Sequence, residues 1–130
     1  MERSSAIFLN VDLVLDAETP LDPIAQALKN DASVLFCGQY GDGYRAVFEA
    51  DIEARHADAA ILALCQLVDA LDGEAKRRWQ ACSRREFDIG FESSIGSTSL
   101  ESPIEPETVT RVASLDAAIR ITIHASPDDA

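Results

Sequence analysis

Apolar and polar positions alternate along residues 6–15 (AIFLNVDLVL), and the β-branched bias there predicts a strand. Thr19-Pro20-Leu21-Asp22-Pro23 follows, then the apolar residues Ile24, Ala25, Ala27 and Leu28. This pattern predicts a helix with Thr19 as N-cap, Pro20 in the first turn and Asp22 against the positive end of the dipole, stopping near Asn30-Asp31. Residues 33–40 (SVLFCGQY) and 44–52 (YRAVFEADI) read as two strands around a tight Gly41-Asp42-Gly43 turn, a β-hairpin. The period then changes to helical. Ile61, Leu64, Cys65, Val68 and Leu71 form one apolar stripe on a helix over 57–71, with Asp58 in its first turn and Asp72-Gly73 at its end.

Residues 74–83 read as a short helix bearing the only tryptophan, Trp79. Residues 86–92 (EFDIGFE) alternate with Phe87, Ile89 and Phe91 on one face, a half-buried strand. A Ser/Gly-rich loop over 93–102 is expected to be the least ordered interior stretch. A helix over 105–115 and a strand over 118–124 (AIRITIH) complete the pattern. One domain over 1–125 is expected, with a frayed tail at 126–130.

The segment before the first helix recurs as Ser102-Pro103-Ile104-Glu105-Pro106 before the last one. Each has a hydroxyl, Pro, an aliphatic residue, an acid and Pro, then a helix and an apolar strand. The aliphatic residue between the prolines is placed to anchor the chain against the core. Two such units joined through a hairpin and a long helix predict an α+β fold. Its sheet is mostly antiparallel with helices packed on one face, in a ferredoxin-like or pseudo-twofold βαβ arrangement.

Charge sharpens the picture. With 11 basic and 23 acidic residues the net charge is −12, and the sequence pI is about 4.4. Such a chain repels nucleic acid and anionic membrane and is steered toward basic partners. No apolar run has the ~20 residues a membrane-spanning helix needs, and the N-terminal stretch lacks a cleavage site, so a soluble, cytosolic protein is expected. Cys37, Cys65 and Cys82 form no C-x-x-C pair and read as small buried hydrophobes.

Five of the basic residues, Lys76, Arg77, Arg78, Arg84 and Arg85, cluster beside Trp79 against Glu86 alone. They read either as a docking patch for an anion or acidic partner, or as a solvated helix end whose cations suit the dipole. Asp88 and Glu92 share the face of their strand opposite the aromatic residues. Such a pair suits acid–base or cation chemistry, and it is also what alternation places on a solvated face. His56 and His124 have no metal-ligand spacing, and the serines at 93, 94, 97 and 99 lack a G-x-S-x-G elbow. Neither G-x-G-x-x-G nor G-x-x-x-x-G-K-[ST] occurs. No catalytic set, cofactor or metal is therefore expected.

The strand from Arg85 to Glu92, the irregular loop, the helix from Ile104 to Leu115 and the closing Ala118-Ile119-Arg120-Ile121-Thr122-Ile123 resemble small bacterial domains of unknown function. The resemblance covers residues 60–124. Some of those domains are encoded near toxin–immunity loci. It implies an α+β fold and transfers no catalytic residue. Acidic charge, single-domain size and the absence of a catalytic set point to a non-enzymatic binding protein, such as an immunity-type inhibitor of a basic partner. Two alternatives stand beside this. One is a small-molecule or enzymatic site on the open sheet face using Asp88, Glu92, Arg84 and Arg85. The other is a homodimer joined through strand edges.

Overall fold

The computed structural model describes residues 6–50, 55–93 and 99–125. Its elements run β1 (Ile7–Ala17), α1 (Asp22–Leu28), β2 (Ala32–Tyr40), β3 (Gly43–Ala50), α2 (Ala57–Asp69), α3 (Gly73–Gln80), β4 (Arg84–Ser93), α4 (Pro106–Ser114) and β5 (Ala118–Ala125). The five strands form one sheet in the order β2-β3-β1-β4-β5. The pairs β2/β3, β3/β1 and β1/β4 are antiparallel, and β4/β5 is parallel. Through β4 this is the βαββαβ order of ferredoxin-like folds, with α2 and α3 together making the second crossover. A third crossover through α4 appends β5, and a helical crossover is what a parallel neighbour requires.

Alternation along β1 divides the molecule. Val11, Leu13, Leu15 and Ala17 are buried, while Asn10, Asp12, Val14 and Asp16 between them are only partly so. Ala46 and Phe48 of β3 and Phe87 and Ile89 of β4 share the buried side, with Leu21, Ile24 and Leu28 around α1. The predicted α2 stripe of Ile61, Leu64, Cys65, Val68 and Leu71 packs on the same side. Helices cover one face of the sheet, and burial of these apolar side chains is the main driving force for the fold.

The hairpin closes in two residues, since Tyr40 pairs with Gly43. Gly41 takes the positive φ (60°) that such a turn demands. The capping expectations need correction. α1 starts at Asp22 with Leu21 in the cap position, and α4 starts at Pro106 with Glu105 there; neither has a side-chain cap. Thr19 and Ser102 thus lie too far upstream to cap. The repeat acts through its aliphatic residues instead: Leu21 is buried and Ile104 packs against the core. The Glu105 amide donates to Asp58 Oδ1 of α2 at 2.8 Å, so a neighbouring helix supplies the acceptor. Asp72 takes the cap position of α3, again without a side-chain cap bond, and does not end α2, whose own C-cap is Ala70. The interior of the Ser/Gly-rich loop, 94–98, and the tail at 126–130 lie outside the described residues.

α4 ends in a paired turn, with Ala117 N donating to Val112 O and Asp116 N to Ala113 O. Asp116 holds the left-handed conformation (φ 56°) usually given to glycine. Arg85 fixes this turn to the rest of the fold. Its guanidinium donates to the carbonyls of Trp79, Cys82 and Asp116 and to Asp116 Oδ2, at 2.8–3.0 Å. The Asp116 carboxylate is 91% exposed, so the ion pair itself contributes little; the three carbonyls carry the weight. Arg85→Met should lower unfolding free energy by about 2–3 kcal/mol, because charge-assisted bonds are lost and carbonyls stranded. Lys76→Met, a surface control, should stay within about 0.5 kcal/mol of the parent. Urea denaturation reads both, and equal stability of the two variants would refute the clamp.

Candidate functional site on the uncovered sheet face

No described helix covers the second face of the sheet, and strand register sorts its side chains into cross-strand rows. Glu49, Asp12 and Asp88 stand side by side on β3, β1 and β4, flanked by Ser33 on β2 and Arg120 on β5. The next row is apolar at its centre, with Phe36, Val47 and Val14 leading to Glu86. The third holds Arg45, Asp16 and Arg84. There Arg45 binds Asp16 in two bonds of 2.6 and 2.9 Å, and its guanidinium lies 3.7 Å from the Tyr40 ring centroid. That ion pair holds the Asp16 carboxyl below its ordinary range.

The first row has no such compensation. Among the described residues no cation pairs with Glu49, Asp12 or Asp88, because Arg120 turns to Glu86 at 3.1 Å. Their donors are neutral: Thr122 Oγ1 gives 2.7 Å to Asp88, and the Asn10 amide gives 2.7 Å to Glu49 and 3.3 Å to Asp12. Sequence and backbone build this bridge locally. The β1/β4 register shifts between Phe8 and Asn10, and Asn10 then faces Gly90, where any Cβ would sit 2.8 Å from Asn10 Oδ1. Burial, then the charges of Glu49 and Asp88, push the Asp12 carboxyl up to about 6. Chemically the row is a trio of acceptors whose middle member, Asp12, holds its proton more tightly than an ordinary carboxyl, and it is suited to receiving cationic donors.

The residues singled out from sequence separate in space. Asp88 belongs to the row, while Glu92 lies two cross-strand positions away, opposite Ile7 and His124. Arg84 is on the uncovered face with Asp16 and Glu86, each at 3.6 Å. Arg85 is in register with buried Leu15 and points to the helix side, so Asp88, Glu92, Arg84 and Arg85 do not converge. The basic segment is likewise not one patch. Trp79 is 6% exposed and belongs to the core, so it does not stand out beside the cations as an exposed ring. Arg77 and Arg78 both bind Glu74, and Arg78 also donates to Pro20 O. Lys76 borders a cleft of about 360 Å³ between α2, α3 and α4, floored by Val68, Leu71 and Trp79.

His56 takes the cap position of α2, and His124 sits near the end of β5. Cys65 and Cys82 are buried and Cys37 half-buried, and burial pushes each thiol up to about 11. They therefore stay protonated near neutrality, as small hydrophobes would. Asp12 and Glu49 were not singled out from sequence, because their meeting with Asp88 depends on the register of three strands far apart in the chain.

Comparison with family models, curated proteins and solved structures found no match to this chain. The functional reading therefore rests on the site itself.

Carboxyl-detected NMR should find Asp12 titrating near pH 6, and Glu49→Gln or Asp88→Asn should each move that midpoint downward. An Asp12 midpoint in the ordinary carboxylate range would refute the coupled row.

Proposed function

We propose that this chain is a non-enzymatic protein-binding domain that receives a basic partner on its uncovered sheet face, as an immunity-type inhibitor of a basic protein would. The observation that carries the reading is the uncompensated row Glu49–Asp12–Asp88 at the centre of that face. Like charges directly opposite on neighbouring strands are destabilising, so three carboxylates with no cation among the described residues gain from one that arrives from outside. The adjoining Phe36, Val47 and Val14 supply an apolar strip beside the charges, the usual composition of a binding surface centre. A net charge of −12 adds long-range steering toward the same class of partner.

The immobilised chain, exposed to extract of its native host at low salt, should retain a stoichiometric basic protein that elutes as salt rises. The Asp12→Asn/Glu49→Gln/Asp88→Asn variant should lose that protein. Retention by the parent should also weaken as pH falls through about 6, where Asp12 takes up its proton. An acidic partner, one held equally by the variant, or no stoichiometric partner would overturn the reading.

A further inference from the structure

β5 is an outer strand of the sheet, and among the described residues nothing pairs with its free edge. Its isoleucines lie on the helix-bearing side, in register with Phe87, Ile89 and Phe91 of β4. Cover fades along the strand: Ile119 is 38% exposed, Ile121 62% and Ile123 65%. Soluble proteins protect such edges with lysine, proline, inward charges or bulges. β5 has no Lys, Pro, Asp or Glu, and its pairing with β4 runs without a register shift. The opposite outer strand, β2, does carry a bulge between Val34 and Phe36.

A row of free backbone N–H and C=O groups beside apolar side chains is satisfied by another strand. We propose that this strand is β5 of a second copy, paired antiparallel about a twofold axis through Ile121. Charge selects the occupant. In a chain of net charge −12 most surfaces repel their own copies, whereas β5 is free of acids and carries Arg120. Charge also selects the register. Centring on Ile121 sets Ile119 opposite the partner's Ile123 and Arg120 opposite the partner's Thr122. Centring one residue earlier opposes two copies of Arg120.

The axis stands perpendicular to the sheet, so both sets of helices lie on one side. The isoleucines of both strands then join in a single cluster beneath a continuous ten-stranded sheet. One strand joint is small against the roughly 800 Å² per partner of a standard interface, so the dimer is concentration-dependent.

Sedimentation of the full chain over a concentration series tests this. A reversible monomer–dimer equilibrium is expected that tightens with added salt, as the repulsion between acidic copies is screened. Ile121→Lys or Ile123→Lys, with folding checked by circular dichroism, should weaken dimerisation at least about tenfold. Leu35→Lys on the β2 edge should leave it unchanged. A monomer at every concentration, a dimer indifferent to both isoleucine variants, or a dimer lost in Leu35→Lys would each overturn the proposal.

Discussion

Everything in this fold hangs on the alternation of β1, the strand that runs through the centre of the sheet between β3 and β4. Its odd-numbered residues Val11, Leu13, Leu15 and Ala17 are committed to the core, and this commits Asp12, Val14 and Asp16 to the other side. Side-chain period in a strand is two, so a slip of one residue would bury two carboxylates and expose the centre of the core. The register of β3 and β4 is fixed in the same stroke, because Phe48 and Phe87 flank Leu13 across the strands. The carboxylate row is therefore a consequence of hydrophobic packing on the opposite face. No loop has to close for it to form.

The two charged rows of the uncovered face show contrasting electrostatics. Around Asp16, two arginines neutralise the charge, and Arg45 is further held over Tyr40. Four residues earlier in β1, Asp12 receives, among the described residues, only the Asn10 side-chain amide and faces two more carboxylates. Local inconsistency of this kind, in a fold otherwise consistent from pattern to packing, is where binding sites concentrate. Arg85 shows the reverse case: a residue of the cationic segment that serves the fold, tying the α4–β5 turn to the α3–β4 connection.

Much of the architecture was legible in the sequence because it rests on periodicity. The strands, the hairpin turn and the α2 stripe are local patterns, and the structure places them within a few residues of their expected bounds. The helix starts were misread, since Thr19 and Ser102 match a capping pattern that prolines and a buried aliphatic residue supersede. Trp79 stands in a run of cations that suggests an interaction patch, yet its spacing on a short helix turns it inward to the core. For the site, only Asp88 could be picked out. Asp12 and Glu49 lie in strands 37 residues apart, and their meeting is set by register, which one sequence does not reveal. The parallel placement of β5 was hidden for the same reason.

If the carboxylate row serves a partner, as we propose, it must weaken the free protein. Asp12 titrates near 6 in the fold against an ordinary 3.8, so the folded state holds that proton more tightly than the unfolded chain. This contribution to stability is fully present below the ordinary carboxylate range and is lost as pH rises through about 6. The direct measurement is urea denaturation of the parent and of Asp12→Asn/Glu49→Gln/Asp88→Asn, at neutral pH and at about pH 4. The variant should be the more stable at neutral pH, with its advantage shrinking toward pH 4. A variant less stable than the parent at neutral pH would mean that the carboxylates hold the fold together, contradicting their assignment as a surface kept for a partner.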